Sequence, residues 1–261
     1  VYPDWSGGTE RDHSKVQSAF RMGHQAYWNK MKELRPGIQI IANHDWYLSE
    51  DPINNGRWNL PEYDKQVQGG LLETVMRSTD LTGTPKLPWN KVMTYYRRSM
   101  NYFLDPNLTI FVVEGEPENY RFFRYSFATC LMDDGYFDYA PPSRYRYGTV
   151  EWFDEFDLAG SAGTNWLGLA LSAPPTTAWK SGVWRRDFEG GVALVNPKGN
   201  GAKTVTIESG FRRISGRQAP AVNNGQRAST ISLKDGDGII LVRESVATAP
   251  APPEPPTLRA E

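Results

Sequence analysis

The stretch that most constrains this chain is residues 108–117, LTIFVVEGEP, a short apolar run that closes on two carboxylates. Alternation along a strand puts Ile110, Val112 and Glu114 on one face, so a buried strand interior delivers an acid to its rim. Two more segments repeat the arrangement. Residues 69–76 (GGLLETVM) bring Leu71, Glu73 and Val75 to one face behind a glycine-led entry. Residues 38–46 (IQIIANHDW) put Asn43 and Asp45 on one face at their end and His44 on the other. Helix-like or loop sequence separates these segments, which is the β-α-β rhythm of a parallel sheet.

The intervening sequence supports that rhythm. Residues 11–35 carry Val16, Phe20, Ala26, Tyr27, Met31 and Leu34 at roughly helical spacing before Pro36-Gly37 stops the run. Pro88 opens a second helix that runs to Phe103, and Pro117 a third, with Tyr120, Phe123, Phe127 and Leu131 as its core stripe. Residues 47–68 are polar and suit a long loop over strand ends. Residues 136–140 (YFDYA) form a further candidate strand, with Tyr136 and Asp138 on one face. At the start of the chain, VYPDW reads as the last residues of a strand with Asp4 at its carboxyl end.

Parallel strands with crossover helices, each ending in polar residues, point to an α/β fold of the (β/α)8 TIM-barrel type, whose site lies at the carboxyl ends of the strands. Only about five such strand ends are present, where a complete barrel needs about eight. Residues 1–144 are therefore expected to be the C-terminal part of a barrel. A segment N-terminal to this chain, or another chain, would supply the remaining strands and cover the barrel-facing side chains. Past Pro141-Pro142 the style changes. An aromatic loop gives way to short β runs with Gly and Asn turns (GVWRRDF, GGVALVNP, KTVTIES, FRRISG, STISLKD, GIILVRE), so residues 145–244 are expected to form a small antiparallel β-sandwich. Residues 245–261, rich in Ala and Pro, read as an extended linker or disordered end.

Composition narrows the function. Lys+Arg 29 against Asp+Glu 30 leaves no electrostatic footprint for nucleic acid or for an anionic membrane. No run approaches the roughly 18 consecutive apolar residues of a membrane span. The single cysteine, Cys130, excludes an internal disulfide and a cysteine-rich zinc site, and its apolar helical setting marks it as a buried small hydrophobe. His13, His24 and His44 fall in no HExxH pattern, and GGTERDH and GSAGTN lack the Lys-Ser/Thr of a phosphate loop. Neither a metal nor a cofactor is expected.

What remains is carboxylate chemistry. Glu73 and Glu114 end neighbouring predicted strands, with Asp4 and Asp45 at others. Two acids at a barrel mouth are what glycosidic hydrolysis needs: one protonates the leaving oxygen while the other attacks the anomeric carbon or activates water. At 13% aromatic residues the chain also has flat rings to spare for sugar faces. Trp46, Trp58, Tyr139, Tyr147 and Trp152 follow predicted strands and are candidate stacking platforms. Asn43, His44 and Asp45 are candidate partners for sugar hydroxyls. The acids Asp154, Glu155 and Asp157 of WFDEFD are expected to pair with Arg144, Arg146 or Arg185 rather than to hold a cation.

The segments IIANHDW, GGLLETVM, WFDEFDLAG and GVWRRDFEGGVALVNP together resemble a family of hypothetical glycosyl hydrolases built from a TIM barrel and a C-terminal β-domain. That family's pattern has a strand ending in Asn-Gly, a Gly-x-x-x-Glu strand, a DEFD…LG segment and a W-R-x-F-x-x-G-x-x-L-V-N-P hairpin. The likeness runs over most of residues 1–244, strongest after residue 150. His44 stands where the family has Gly, and residues 158–173 are longer than its Leu-Gly turn. The resemblance implies a carbohydrate-active protein with Asp4 as nucleophile or base, Glu73 as general acid and Glu114 as a second acid or orienting group. It also implies an extracellular or cell-surface location. The competing expectation is a carbohydrate-binding or structural surface protein that keeps the barrel without turnover.

Overall fold

The computed structural model describes residues 13–43, 65–142 and 150–247. Its elements are helices α1 (His13–Leu34), α2 (Trp89–Tyr102), α3 (Tyr120–Cys130), α4 (Asp154–Asp157) and α5 (Glu244–Ala247). The strands are β1 (Ile41–Ala42), β2 (Gly69–Arg77), β3 (Ile110–Glu114), β4 (Tyr136–Ala140), β5 (Trp184–Asp187), β6 (Gly191–Asn196), β7 (Lys203–Thr206), β8 (Phe211–Arg213), β9 (Thr230–Leu233) and β10 (Asp237–Arg243). The fold is mixed α/β. One four-stranded parallel sheet has the order β1-β2-β3-β4, and two antiparallel sheets have the orders β5-β6-β10-β8 and β7-β9. Two compact units divide the chain: Val1–Glu73 with Arg97–Ile110, and Thr74–Tyr96 with Phe111–Glu261.

In the first unit, Trp28, Ile40, Val67, Tyr102 and Phe103 form the core, with Met31, Ile38 and Ala42 against it. The helical stripe expected from sequence is rotated: Trp28 is buried, whereas Tyr27 and Leu34 are exposed. Successive residues turn by about 100°, so a helix that seats Trp28 and Met31 must swing Tyr27 and Leu34 away. Strand β1 lies parallel to β2 with Ile41 opposite Gly69 and Ala42 opposite Gly70. The two glycines have a steric reason. A Cβ on Gly69 would fall 2.3 Å from the Leu108 carbonyl oxygen, and one on Gly70 would fall 2.7 Å from the Phe103 ring. Beside them Asn107 fixes the turn before β3: its Nδ2 donates to the carbonyls of Ser99 and Met100, and its Oδ1 accepts from the Thr109 N–H and hydroxyl.

The second unit is built on β6 and β10, which pair antiparallel from Asp237–Asn196 to Val242–Gly191. Both read as unbroken apolar runs because both of their faces are covered. One face shares a core with the β7-β9 sheet, in which Val192, Leu194, Ile239 and Leu241 meet Val205, Ile231 and Leu233. Helix α3 packs on β6 and β10. Gly238 permits that approach, since a Cβ there would lie 2.5 Å from the Arg124 carbonyl oxygen and 2.8 Å from Ala128 Cβ. Helix α3 starts at Tyr120, three residues beyond the expected Pro117, because the Asn119 side chain accepts from the Phe122 N–H and caps it there.

Cys130, at the end of α3, is buried, with Sγ 3.5 Å from the Tyr96 hydroxyl. Burial pushes its thiol up to about 12. An aromatic disulfide reagent at pH 8 is therefore expected to leave Cys130 unmodified in the folded protein and to react fully in denaturant, because only the thiolate attacks. Rapid labelling without denaturant would contradict this placement.

Candidate active site

Glu73 sits midway along β2, beyond the point where the ladder to β1 ends at Ala42 and Gly70. Asn43, the residue after β1, is exposed, as is Glu73, and its Nδ2 donates to Glu73 Oε2 at 3.0 Å. The parallel pairing thus aligns the end of one strand with a carboxylate of the next, and the amide holds that carboxylate in one orientation. Asn43 was expected to meet a substrate hydroxyl; its partner here is the candidate acid itself.

The residue after Glu73 is unusual. Thr74 has φ 50°, in the left-handed region that a β-branched side chain rarely enters. The kink breaks the pleat: Leu72 is buried and Glu73 exposed, but Val75 and Met76 are then both buried. Leu71, Glu73 and Val75 therefore do not share one face as strict alternation requires. A conformation of this kind costs about 1–3 kcal/mol and persists where the surroundings impose it, often at functional sites. Its effect here is to turn Glu73 outward from an otherwise buried strand.

Glu114 occupies the expected place at the carboxyl end of β3, half-buried after the buried residues Phe111, Val112 and Val113. Its carboxylate has no hydrogen-bond or ion-pair partner among the described residues. Gly115 follows, and a Cβ there would lie 2.2 Å from the Tyr139 hydroxyl oxygen. Tyr139 is not a free platform. It is 7% exposed within β4, its ring packs against Phe123 and Phe153, and its hydroxyl donates to the Glu116 carbonyl at 2.9 Å. Burial pushes its phenol above the ordinary range, so it stays a neutral donor. Sequence read this ring as a stacking platform at the end of the candidate strand 136–140; the β4 pleat turns it into the core instead.

Trp152 keeps an open ring, 51% exposed, while its Nε1 donates to Asp157 Oδ2 at 2.9 Å. Among the described residues the WFDEFD acids are bonded by side-chain amides, the Trp152 indole and backbone N–H groups. Asp154 Oδ2 accepts from the Gln218 N–H at 2.7 Å, and the Asp154 N–H donates to Gln218 Oε1. Glu155 is 3% exposed and accepts from Asn223 Nδ2 at 3.0 Å. Burial raises the Glu155 carboxyl, against the lowering effects of Asn223 and the Arg124 charge. Arg185 pairs with Asp187 and Glu208 instead. Its guanidinium holds Glu208 down to about 2. Among the described residues, no group of three or more His, Cys, Asp or Glu is placed to hold a metal ion, and no helix is long and apolar enough to cross a membrane.

Asp4, His44, Asp45, Trp46, Trp58, Arg144, Arg146 and Tyr147 lie outside the described residues. Two features had no place in the sequence reading. One is the buried polar set around Arg124 and Glu155, and the other is the arginine doublet of FRRISG; a charged pair inside a short strand was the available signal for the second. No protein-family model matches the chain, and no curated protein matches it.

Proposed function

We propose that this protein acts on carbohydrate as a glycoside hydrolase, with Glu73 as the acid that protonates the leaving oxygen. In this reading the parallel sheet is the C-terminal part of a (β/α)8-type barrel and the antiparallel sheets are a small β-sandwich. The observation that carries the reading is the Asn43–Glu73 pair: an exposed carboxylate, held at 3.0 Å by an amide from the neighbouring parallel strand and turned outward by the Thr74 kink. A carboxyl that donates its proton to a glycosidic oxygen must be accessible and fixed in direction, and this pair provides both. Glu114, without a partner among the described residues at the end of β3, and the exposed ring of Trp152 are separate candidates for contact with sugar. Secretion to the cell surface or beyond belongs to the same proposal, since polysaccharide is met there.

The test is release of reducing ends from a panel of polysaccharides and oligosaccharides by the full chain. Glu73→Gln keeps the shape and the amide contact but cannot give up a proton, and is expected to lower turnover about 10²–10⁴-fold. Glu114→Gln is assayed separately. Wild-type turnover that survives Glu73→Gln would remove Glu73 from the chemistry. Saturable polysaccharide binding with no turnover in wild type would replace the hydrolase with a carbohydrate-binding protein.

A further inference from the structure

The segment that follows α4 carries no charge. Residues 158–179 (LAGSAGTNWLGLALSAPPTTAW) contain no Asp, Glu, Lys, Arg or His, in a chain that has Lys+Arg 29 and Asp+Glu 30. Within it Leu169 and Leu171 are 75% and 57% exposed. A single exposed leucine is ordinary, whereas two side by side on an open strand edge mark a contact surface.

The backbone of this segment forms such an edge. The Leu171 N–H donates to the Asp187 carbonyl at 2.9 Å and the Glu189 N–H to the Leu169 carbonyl at 3.0 Å, which sets Ala170 antiparallel to Phe188. Residues 169–171 thus lie outside β5, at the rim of the β5-β6-β10-β8 sheet. In an antiparallel ladder the residue between two bonded positions turns its own N–H and C=O the other way. Ala170 therefore aims both groups away from β5, and neither has a partner among the described residues. Alternation puts the Leu169 and Leu171 side chains together on one face of this rim, with Ala170 on the other. The edge is short, because Gly168 at φ 70° turns the chain into it and Pro174-Pro175, without N–H groups, ends it. Residues 169–171 themselves carry none of the charge or proline that usually blunts an open edge.

We infer that this edge pairs with the same edge of a second copy of the chain, antiparallel about a twofold axis at Ala170. A twofold axis brings one patch against itself, so charge on that patch would meet like charge unless it were balanced within the patch. Residues 168–172, GLALS, carry none. A foreign strand is under no such constraint, and a charged edge would be the sign of one. In the pairing each Ala170 N–H donates to the Ala170 carbonyl of the other copy, and Leu169 of one copy stands directly opposite Leu171 of the other, where side chains approach most closely. Glu189 of one copy and Asp187 of the other lie three strand spacings apart, about 14 Å, beyond the screening length of about 8 Å at physiological salt. Two backbone bonds and two leucine pairs make a small interface, so the dimer is expected to dissociate at about 10–100 μM.

Sedimentation velocity of the full chain from about 1 to 300 μM spans that range. Wild type is expected to shift from monomer to dimer across it. Ala170→Pro removes the outward N–H and leaves the bonds to β5 in place; Leu171→Lys sets an ammonium against a leucine. Each change acts twice in a dimer and is expected to weaken association at least about tenfold, with an unchanged circular dichroism spectrum. Should one of these variants lose the native spectrum, the other decides. Thr176→Lys, at an exposed position of the same segment beyond Pro175, adds the same charge off the edge and is expected to leave association unchanged. A wild type that stays monomeric to about 300 μM, a dimer that survives the natively folded edge variants, or an equal loss in Thr176→Lys overturns the inference.

Discussion

Phe153→Ala is expected to lower stability by about 3–5 kcal/mol, near the top of the range for truncating a buried aromatic. Phe153 is 1% exposed and stacks on Phe123 with centroids 3.6 Å apart and planes 10° from parallel. Tyr139, Phe156 and Tyr120 meet it edge-on at 5.1, 5.8 and 6.4 Å. Such pairs add about 0.5–1.5 kcal/mol each beyond the area they bury. Rings that pack this way are rigid, so the gap left by alanine closes poorly, and the cost of the cavity adds to the lost transfer energy. The neighbouring Trp152 is the internal contrast: half its surface is already in water, and Trp152→Ala should cost well under half as much. Urea unfolding of both variants checks the pair. A Phe153→Ala loss below about 1 kcal/mol would mean that the cluster collapses to refill the space.

That cluster also shows how far the sequence could be read. Tyr120, Phe123, Phe127 and Leu131 were legible as a helical stripe because their spacing is 3 and 4, but of the four only Phe123 is fully buried, and Phe122, Tyr125 and Ala128 share the buried face of α3. Which other rings would meet them was not legible. Tyr139 and Phe153 come from a strand and from the approach to a short helix, and nothing local to either segment says that both faces of Phe123 will be occupied. The outcome for Tyr139 follows: a ring after an apolar run reads equally as a platform or as core, and only the register of β4 decides.

The strands tell a similar story. Residues 69–77 and 110–114 were visible as strands from their apolar alternation, and the β-rich segments after residue 180 from their short runs and turns. The kink at Thr74 was not visible, since threonine is a favourable strand residue and its positive φ is imposed from outside the segment. Strict alternation put Leu71, Glu73 and Val75 on one face and Glu73 at a strand end, whereas Glu73 lies exposed midway along β2 and Val75 is buried. Of the site itself, the two acids could be named from the sequence, but the Asn43–Glu73 contact could not, because it depends on a parallel register set by the Gly69 and Gly70 entry. For the acids of WFDEFD, Arg185 is engaged elsewhere, and Arg144 and Arg146 lie outside the described residues. The neutral partners that Gln218 and Asn223 supply were not legible, because they stand more than sixty residues away in sequence.

Arg124→Met is expected to cost about 3–5 kcal/mol at neutral pH, the price of leaving buried charges unpaired. Arg124 is 5% exposed on α3; its Nε donates to the Gly238 carbonyl at 3.3 Å, and its Nη2 lies 3.7 Å from Asp237 Oδ1. Its charge lowers two buried carboxyls, Asp237 and Glu155, each of which burial raises. Asn223 supports Glu155, the N–H groups of Lys234 and Gly238 together with Arg121 support Asp237, and Asp154 opposes the ionisation of Glu155. Arg213 gains from the change, because Arg124 is the cation that repels it. Methionine fills similar space without the charge, so both carboxyls rise further above the ordinary unfolded values of about 4. A carboxyl raised in the folded state loses stability as pH climbs through its folded value, since the unfolded chain releases that proton more readily. The deficit of Arg124→Met should therefore be greatest near neutrality and shrink toward the acid end of the native range, where the two acids take up protons and need no counter-charge. Urea midpoints for wild type and variant between those limits read the slope. A deficit independent of pH would mean that Arg124 works through packing and its Gly238 bond alone, and that the two acids are neutral in the native protein.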